Sequence, residues 1–188
     1  MEIIILLVVL GIVVVLALFV VALYNGLVQR RLRVDEAWSQ IDVQLKRRHD
    51  LIPNLVNAVR GYMEFEEEVL TRVTQARADA VAAGARGPAD QADAENALTG
   101  TLRSLFAVME NYPDLKANQN VLSLQEELST TENQIAFSRQ HYNATVRDYN
   151  TAIATVPAVF IAGMFGFGKR EFFEAEEGAR AVPEVQLR

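Results

Sequence analysis

The chain has 188 residues, and the roughly 160 that follow the first two dozen suffice for one domain with a real core. A net charge of -6 and an isoelectric point near 5.0 speak against a nucleic-acid binder, which usually needs a basic face. There is no cysteine, so disulfides, Cys-ligated zinc and thiol catalysis are excluded, and His49 and His141 are the two histidines. Glycine and proline are scarce across 27–83 and 114–156, which suits long helices and points to an all-α fold.

From Ile3 to Tyr24 the chain is wholly apolar, about the length that crosses a bilayer as a helix. A cleaved signal peptide fits poorly: Glu2 stands where a basic n-region belongs, the run is too long, and no A-x-A site follows. Residues 1–26 therefore read as a retained transmembrane anchor, with Tyr24 suited to the interface. Arg30, Arg31 and Arg33 follow the span, with Lys46, Arg47 and Arg48 further on, and no Lys or Arg precedes it. The positive-inside rule then puts the N-terminus outside and the domain in the cytoplasm. Gly11 is the one glycine of the span, so there is no GxxxG pair to drive its dimerisation.

Residues 27–156 read as a helical bundle. Val34, Trp38, Ile41, Leu45, Ile52, Leu55, Val59 and Tyr62 recur in fours and threes, with Arg48 in the slot between Leu45 and Ile52; this is one face of a long helix. Trp38 reads as a core aromatic and Arg48 as a snorkelling or paired side chain. Pro53 interrupts the stripe and predicts a kink near His49–Asp50, with Asp50 as cap of a restarted helix. Gly61 permits a turn, and a second helix is expected from about Glu64 to Ala83. Glu64, Glu66, Glu67 and Glu68 at its start complement the helix dipole. They do not read as a divalent-metal site, since no His or Asp converges with them in sequence. Gly84–Gln91 reads as a loop, and a third helix from about Ala92 to Asn111 carries Leu98, Leu102, Leu105, Phe106 and Met109 on one side. Asp114 offers an N-cap for a fourth, longest helix reaching Val156, with its stripe at Leu124, Leu128, Thr131, Ile135, Ser138, Tyr142, Thr145, Tyr149 and Val156. Asn143-Ala144-Thr145 matches a glycosylation sequon, read as chance within a helix. The first and fourth helices would run on the order of 50–60 Å and the other two about 30 Å, giving an antiparallel bundle of two long and two shorter helices. The fourth helix then returns to the membrane that the first one leaves.

The segment 157–173 follows. PAVFIAGMFGFG, from Pro157 to Gly168, is apolar yet too short to span a bilayer, and Lys169, Arg170, Phe172 and Phe173 come after it. Two readings are open. The segment folds back over the end of the bundle, or Phe160, Ile161, Met164, Phe165 and Phe167 dip into the headgroup region or a neighbouring subunit while Lys169 and Arg170 meet lipid phosphates. The remaining tail, 174–188, reads as exposed and poorly ordered.

Three blocks carry a resemblance: YNGLVQRRLRVDEAWSQIDVQLKRRHDLIPNLVNAVRGY (Tyr24–Tyr62), YPDLKANQNVLSLQEELSTTENQIAFSRQHYNATVRDYNTAI (Tyr112–Ile153) and VPAVFIAGMFGFGKREFFEAEE (Val156–Glu177). In order and separation this chain resembles the LemA family of bacterial membrane proteins, LIPNLV at Leu51–Val56 and YPDLKAN at Tyr112–Asn118 being the most specific pieces. The resemblance implies a one-span, helical-bundle build in the bacterial inner membrane. It implies no settled biochemical activity, and only a loose setting in envelope maintenance, since genes of the family often lie near those for membrane zinc proteases or TPM-domain envelope proteins. Phe65 stands where a histidine is common and Val156 where Phe often precedes the proline; the first further weakens a metal site.

No nucleophile–base–acid grouping, phosphate loop or H-x-x-x-H spacing is present in the sequence, so no catalytic residue, metal or cofactor is expected. The leading expectation is a non-enzymatic scaffold that forms homo-oligomers at the cytoplasmic membrane face, with the lipid bilayer as a partner. The second is an adaptor or regulatory subunit of a membrane protease or transporter, binding through helix faces.

Overall fold

The computed structural model describes residues 1–63 and 66–174. Of the expectations above, those on Glu64, Phe65 and the tail from 175 onward lie outside the described residues. Six helices and no strand occur among the described residues: α1 (Glu2–Arg60), α2 (Glu67–Ala83), α3 (Pro88–Met109), α4 (Pro113–Ala117), α5 (Gln119–Ala154) and α6 (Ala158–Phe165). The fold is all-α, as the composition and periodicity indicate.

Several boundaries differ from the sequence reading, each for a local reason. The apolar anchor and the first bundle helix are one uninterrupted helix, α1; the Asn25-Gly26 pair between them weakens helix propensity by about 1 kcal/mol, too little to break a ladder continued on both sides. Pro88 takes the first helical position of α3 and Gly87, at φ 122°, precedes it, so the connection is shorter than Gly84–Gln91. Proline there loses only an N–H that had no intrahelical partner. The fourth helix divides at Asn118, whose extended backbone (φ -79°, ψ 110°) separates α4 from α5. Its side-chain oxygen accepts from the N–H groups of Asn120 at 3.0 Å and Val121 at 3.3 Å. Asn118, not Asp114, thus caps the long helix. Residues 158–165, expected only as an apolar segment, form α6, closed by Gly166 in the left-handed region (φ 71°). The Phe167 N–H reaches back to the Ala162 carbonyl at 2.9 Å, a closure that favours glycine at that position.

α1 also runs through Pro53 without the restart expected at Asp50. Proline cannot donate to the carbonyl four residues back, which here belongs to His49. That carbonyl accepts instead from Nε of Arg77 on α2, at 2.6 Å. A cation from a neighbouring helix thus fills the gap in the ladder.

The described residues resolve into two compact units: Met1–Ser39 with Ala144–Arg170, and Gln40–Asn143 with 171–174. The second has a continuous apolar core. α1 contributes Ile52, Leu55 and Val59, α2 Val69 and Val73, α3 Leu98, Leu102 and Leu105, α4 Leu115, and α5 Val121 and Leu128. The threes and fours between these positions are those of helices each burying one stripe. In the first unit the buried residues are Leu27, Val34 and Ala37 of α1, Val146, Tyr149 and Ile153 of α5, and Ile161, Ala162 and Phe167. On α5 the buried positions are therefore Val146 and Ile153 rather than the expected Thr145 and Val156, the latter lying beyond the end of the helix at Ala154.

The Arg77 contact predicts a specific coupling. Arg77→Met should cost about 1–3 kcal/mol, read by denaturant unfolding of the full chain in detergent. In a Pro53→Ala background, where residue 53 supplies the missing N–H, the same substitution should cost much less; equal costs in both backgrounds would contradict the assignment.

Candidate functional site

In the first unit, the end of the apolar part of α1 meets α6 and the residues after it. The Tyr24 ring contacts Phe165 and Phe167 edge-on, with centroids 4.9 and 5.6 Å apart. The Arg31 guanidinium lies 5.4 Å from the centre of the Phe167 ring, within cation–π range. Arg170 is held three ways: its N–H donates to the Asn150 Oδ1 at 2.9 Å, its carbonyl accepts from Asn150 Nδ2 at 2.8 Å, and its guanidinium donates to Asp35 at 2.6 Å. Burial pushes the Tyr149 phenol above its ordinary pKa although Arg170 and Arg31 act in the opposite direction, so it stays neutral beside these charges.

The apolar segment thus divides. Ile161 and Phe167 are buried against their own chain, whereas Phe160 (68%), Met164 (75%), Phe165 (53%) and Val156 (75%) are exposed. Phe160 and Met164, four residues apart on α6, share one side of that helix. Lys169 is exposed, while Arg170, expected to face lipid phosphates, is engaged by Asp35. Arg30 and Arg33 are exposed.

The end of the segment belongs to the second unit. Phe172 is half-buried and Phe173 buried. The N–H of Phe173 donates to Asn143 Oδ1 and its carbonyl accepts from Asn143 Nδ2, both at 2.9 Å, while the Tyr142 hydroxyl donates to the Glu171 carbonyl at 2.9 Å. The sequon asparagine is therefore a structural clamp, a role its motif does not indicate.

The second unit also buries a charge cluster. Arg48 and Glu95 are each 3% exposed and His49 7%. The Arg48 guanidinium donates to Glu95 Oε2, to the Glu95 carbonyl at 3.4 Å and to the Thr99 hydroxyl at 2.9 Å. His49 Nε2 lies 2.7 Å from Glu95 Oε1, so both carboxylate oxygens are occupied. Burial alone would raise the Glu95 pKa, but the His49 hydrogen bond and the Arg48 and His49 charges outweigh it and hold the group below its ordinary 4.5. No group of three or more His, Asp or Glu side chains is placed to hold a metal among the described residues. His141 is exposed. The cluster is a closed ion pair with an imidazole support and presents no free nucleophile.

An 18-residue stretch of α1 reaches mean hydropathy 3.7 with none of it buried, and every other described element is helical. Together these features define an all-helical protein with one helix long and apolar enough to cross a membrane. The chain matches the LemA family over residues 37–187 and belongs to that family. It is similar to Protein LemA of Metamycoplasma hominis, 27% identical over 155 residues that cover 81% of this chain and 69% of that protein. It is also similar to Magnetosome protein MamQ of Magnetospirillum gryphiswaldense, 26% identical over 174 residues that cover 80% of this chain and 64% of the relative. Magnetosome protein MamQ 2 of Paramagnetospirillum magneticum is 25% identical over 175 residues, covering the same shares, 80% and 64%. The chain thus spans 64% of the length of these magnetosome relatives.

Two outcomes test the buried cluster. Arg48→Met leaves a buried carboxylate without its cation and should destabilise the protein by about 3–5 kcal/mol in denaturant titrations, with Arg48→Met/Glu95→Leu recovering part of the loss. Because the folded pKa of Glu95 is depressed, its contribution is complete above about 4.5 and declines as pH falls toward the folded value. Glu95→Gln should flatten the acid limb of a Tm-against-pH curve; an unchanged limb would count against the cluster as its source.

Proposed function

We propose that this protein is a non-enzymatic scaffold of the bacterial inner membrane, anchored by the apolar part of α1, with its helical domain on the cytoplasmic face. It assembles with further copies of itself and serves envelope organisation or maintenance. The observation that carries this reading is the exposed apolar surface of Val156, Phe160, Met164 and Phe165, joined to the end of the apolar run through the Tyr24–Phe165 ring contact. Aromatic side chains at such a level favour the bilayer interface, so the chain gains a second foothold beside its anchor. Arg30, Arg31 and Arg33 just past the apolar run support the cytoplasmic orientation. The closed Arg48–Glu95–His49 cluster supports a structural rather than catalytic use of the buried ionisable groups.

The particle mass of the full-length protein extracted in mild detergent tests the assembly. Large homo-assemblies are expected; monomers, or complexes with a different membrane protein, would overturn it and favour the adaptor reading. Protease treatment of sealed inverted vesicles should digest the helical domain, and protection there would overturn the orientation. Phe160→Ser/Met164→Ser/Phe165→Ser should weaken vesicle binding by a fragment lacking residues 1–22, provided its helicity is unchanged.

A further inference from the structure

A groove in the first unit separates the end of the apolar run of α1 from the corner where α5 turns into α6. It has a volume of about 490 Å³, within the range of small-molecule sites. One wall is Ala22, Leu23, Gly26 and Leu27, and the other includes Val156 and Pro157. Arg30 and Arg147 line the same groove with Asp148 and the hydroxyl-bearing Thr151 and Thr155. Two guanidiniums against one carboxylate leave an excess positive charge next to apolar walls.

The other arginines nearby are committed. Arg31 lies over the Phe167 ring and Arg170 is paired with Asp35. Among the described residues neither Arg30 nor Arg147 has an ion-pair partner. Both are exposed at the groove, where the apolar wall of α1 continues into the exposed run that reads as the membrane span.

We propose that this groove binds the headgroup of an anionic phospholipid. Arg30 and Arg147 hold the phosphodiester, the polar headgroup lies toward Thr151, and the acyl chains leave along Ala22 and Leu23 into the bilayer. Arginine suits this because its planar fork can present two N–H groups to one phosphate. An inorganic anion would use only the charged half of the groove, so the apolar walls favour the lipid. The inference rests on the membrane anchoring proposed above, but its residues differ from those of the exposed α6 surface.

The full-length protein in neutral detergent is titrated with phosphatidylglycerol or phosphatidylcholine, and retained lipid is counted by native mass spectrometry. The wild type should retain one phosphatidylglycerol in preference to phosphatidylcholine. Arg30→Gln/Arg147→Gln should reduce that preference by about tenfold or more, and Lys169→Gln should leave it unchanged. Gly26→Leu offers a second variant that keeps both charges. A Cβ at position 26 meets nothing within 4 Å, so the larger side chain should occupy the groove and lower retention of either lipid. Equal helicity of all variants is the folding control. Unchanged lipid preference in the double variant, or displacement of the lipid by equimolar inorganic phosphate, would overturn the headgroup site. Alkaline extraction of membranes reads the anchoring separately: release of the wild type from the bilayer would refute the span and not the groove chemistry.

Discussion

At Arg48 and His49, α1 carries a guanidinium, an imidazole and a carbonyl stripped of its helical donor by Pro53 into a mostly apolar interior, and the neighbouring helices supply a partner to each. α3 supplies Glu95 and Thr99 to the side chains, and α2 supplies Arg77 to the carbonyl. Leaving any one of these groups unpaired in a core costs more than an average hydrogen bond contributes. The polar layer therefore adds little to total stability relative to an apolar layer of equal volume. It ties register instead: sliding α3 by one turn would strand the Arg48 and Glu95 charges, and sliding α2 would leave the His49 carbonyl without its donor.

In the first unit, the constraint is the allocation of cations. Four arginines lie close to the end of the apolar run or the α5–α6 corner and have distinct settings. Arg31 rests on an aromatic face, Arg170 is locked by Asp35 and Asn150, and Arg30 and Arg147 line an open groove. Sequence position alone makes Arg30 and Arg31 equivalent; one residue on a helix is a rotation of about 100°, enough to send one onto a ring and the other into a groove.

The helical class, the apolar run and most of the buried stripes were legible because they rest on periodicity, which each helix states by itself. The Arg48 slot was legible as paired or snorkelling, and its partner left a signal of its own: Gln91 and Glu95 occupy the same three-four stripe of α3 that continues as Leu98, Leu102 and Leu105. Opposite charges in the apolar stripes of two helices are a pairing cue. The roles of Asn143 and Asn150 were illegible for a different reason. An asparagine amide that clasps a remote backbone looks in sequence like any polar surface residue, because its partner lies elsewhere in the chain. Val156 was misassigned because α5 ends at Ala154, before Pro157, so the stripe closes at Ile153.

The contact between Arg77 and the His49 carbonyl also imposes an order on sequence change. While Pro53 is present, Arg77 is the donor that keeps the carbonyl satisfied, and its loss is exposed to purifying selection. Once position 53 acquires an N–H, the backbone closes its own ladder and Arg77 becomes dispensable. A lineage leaving this arrangement must therefore give up the proline before the arginine, whereas one entering it must acquire the arginine first.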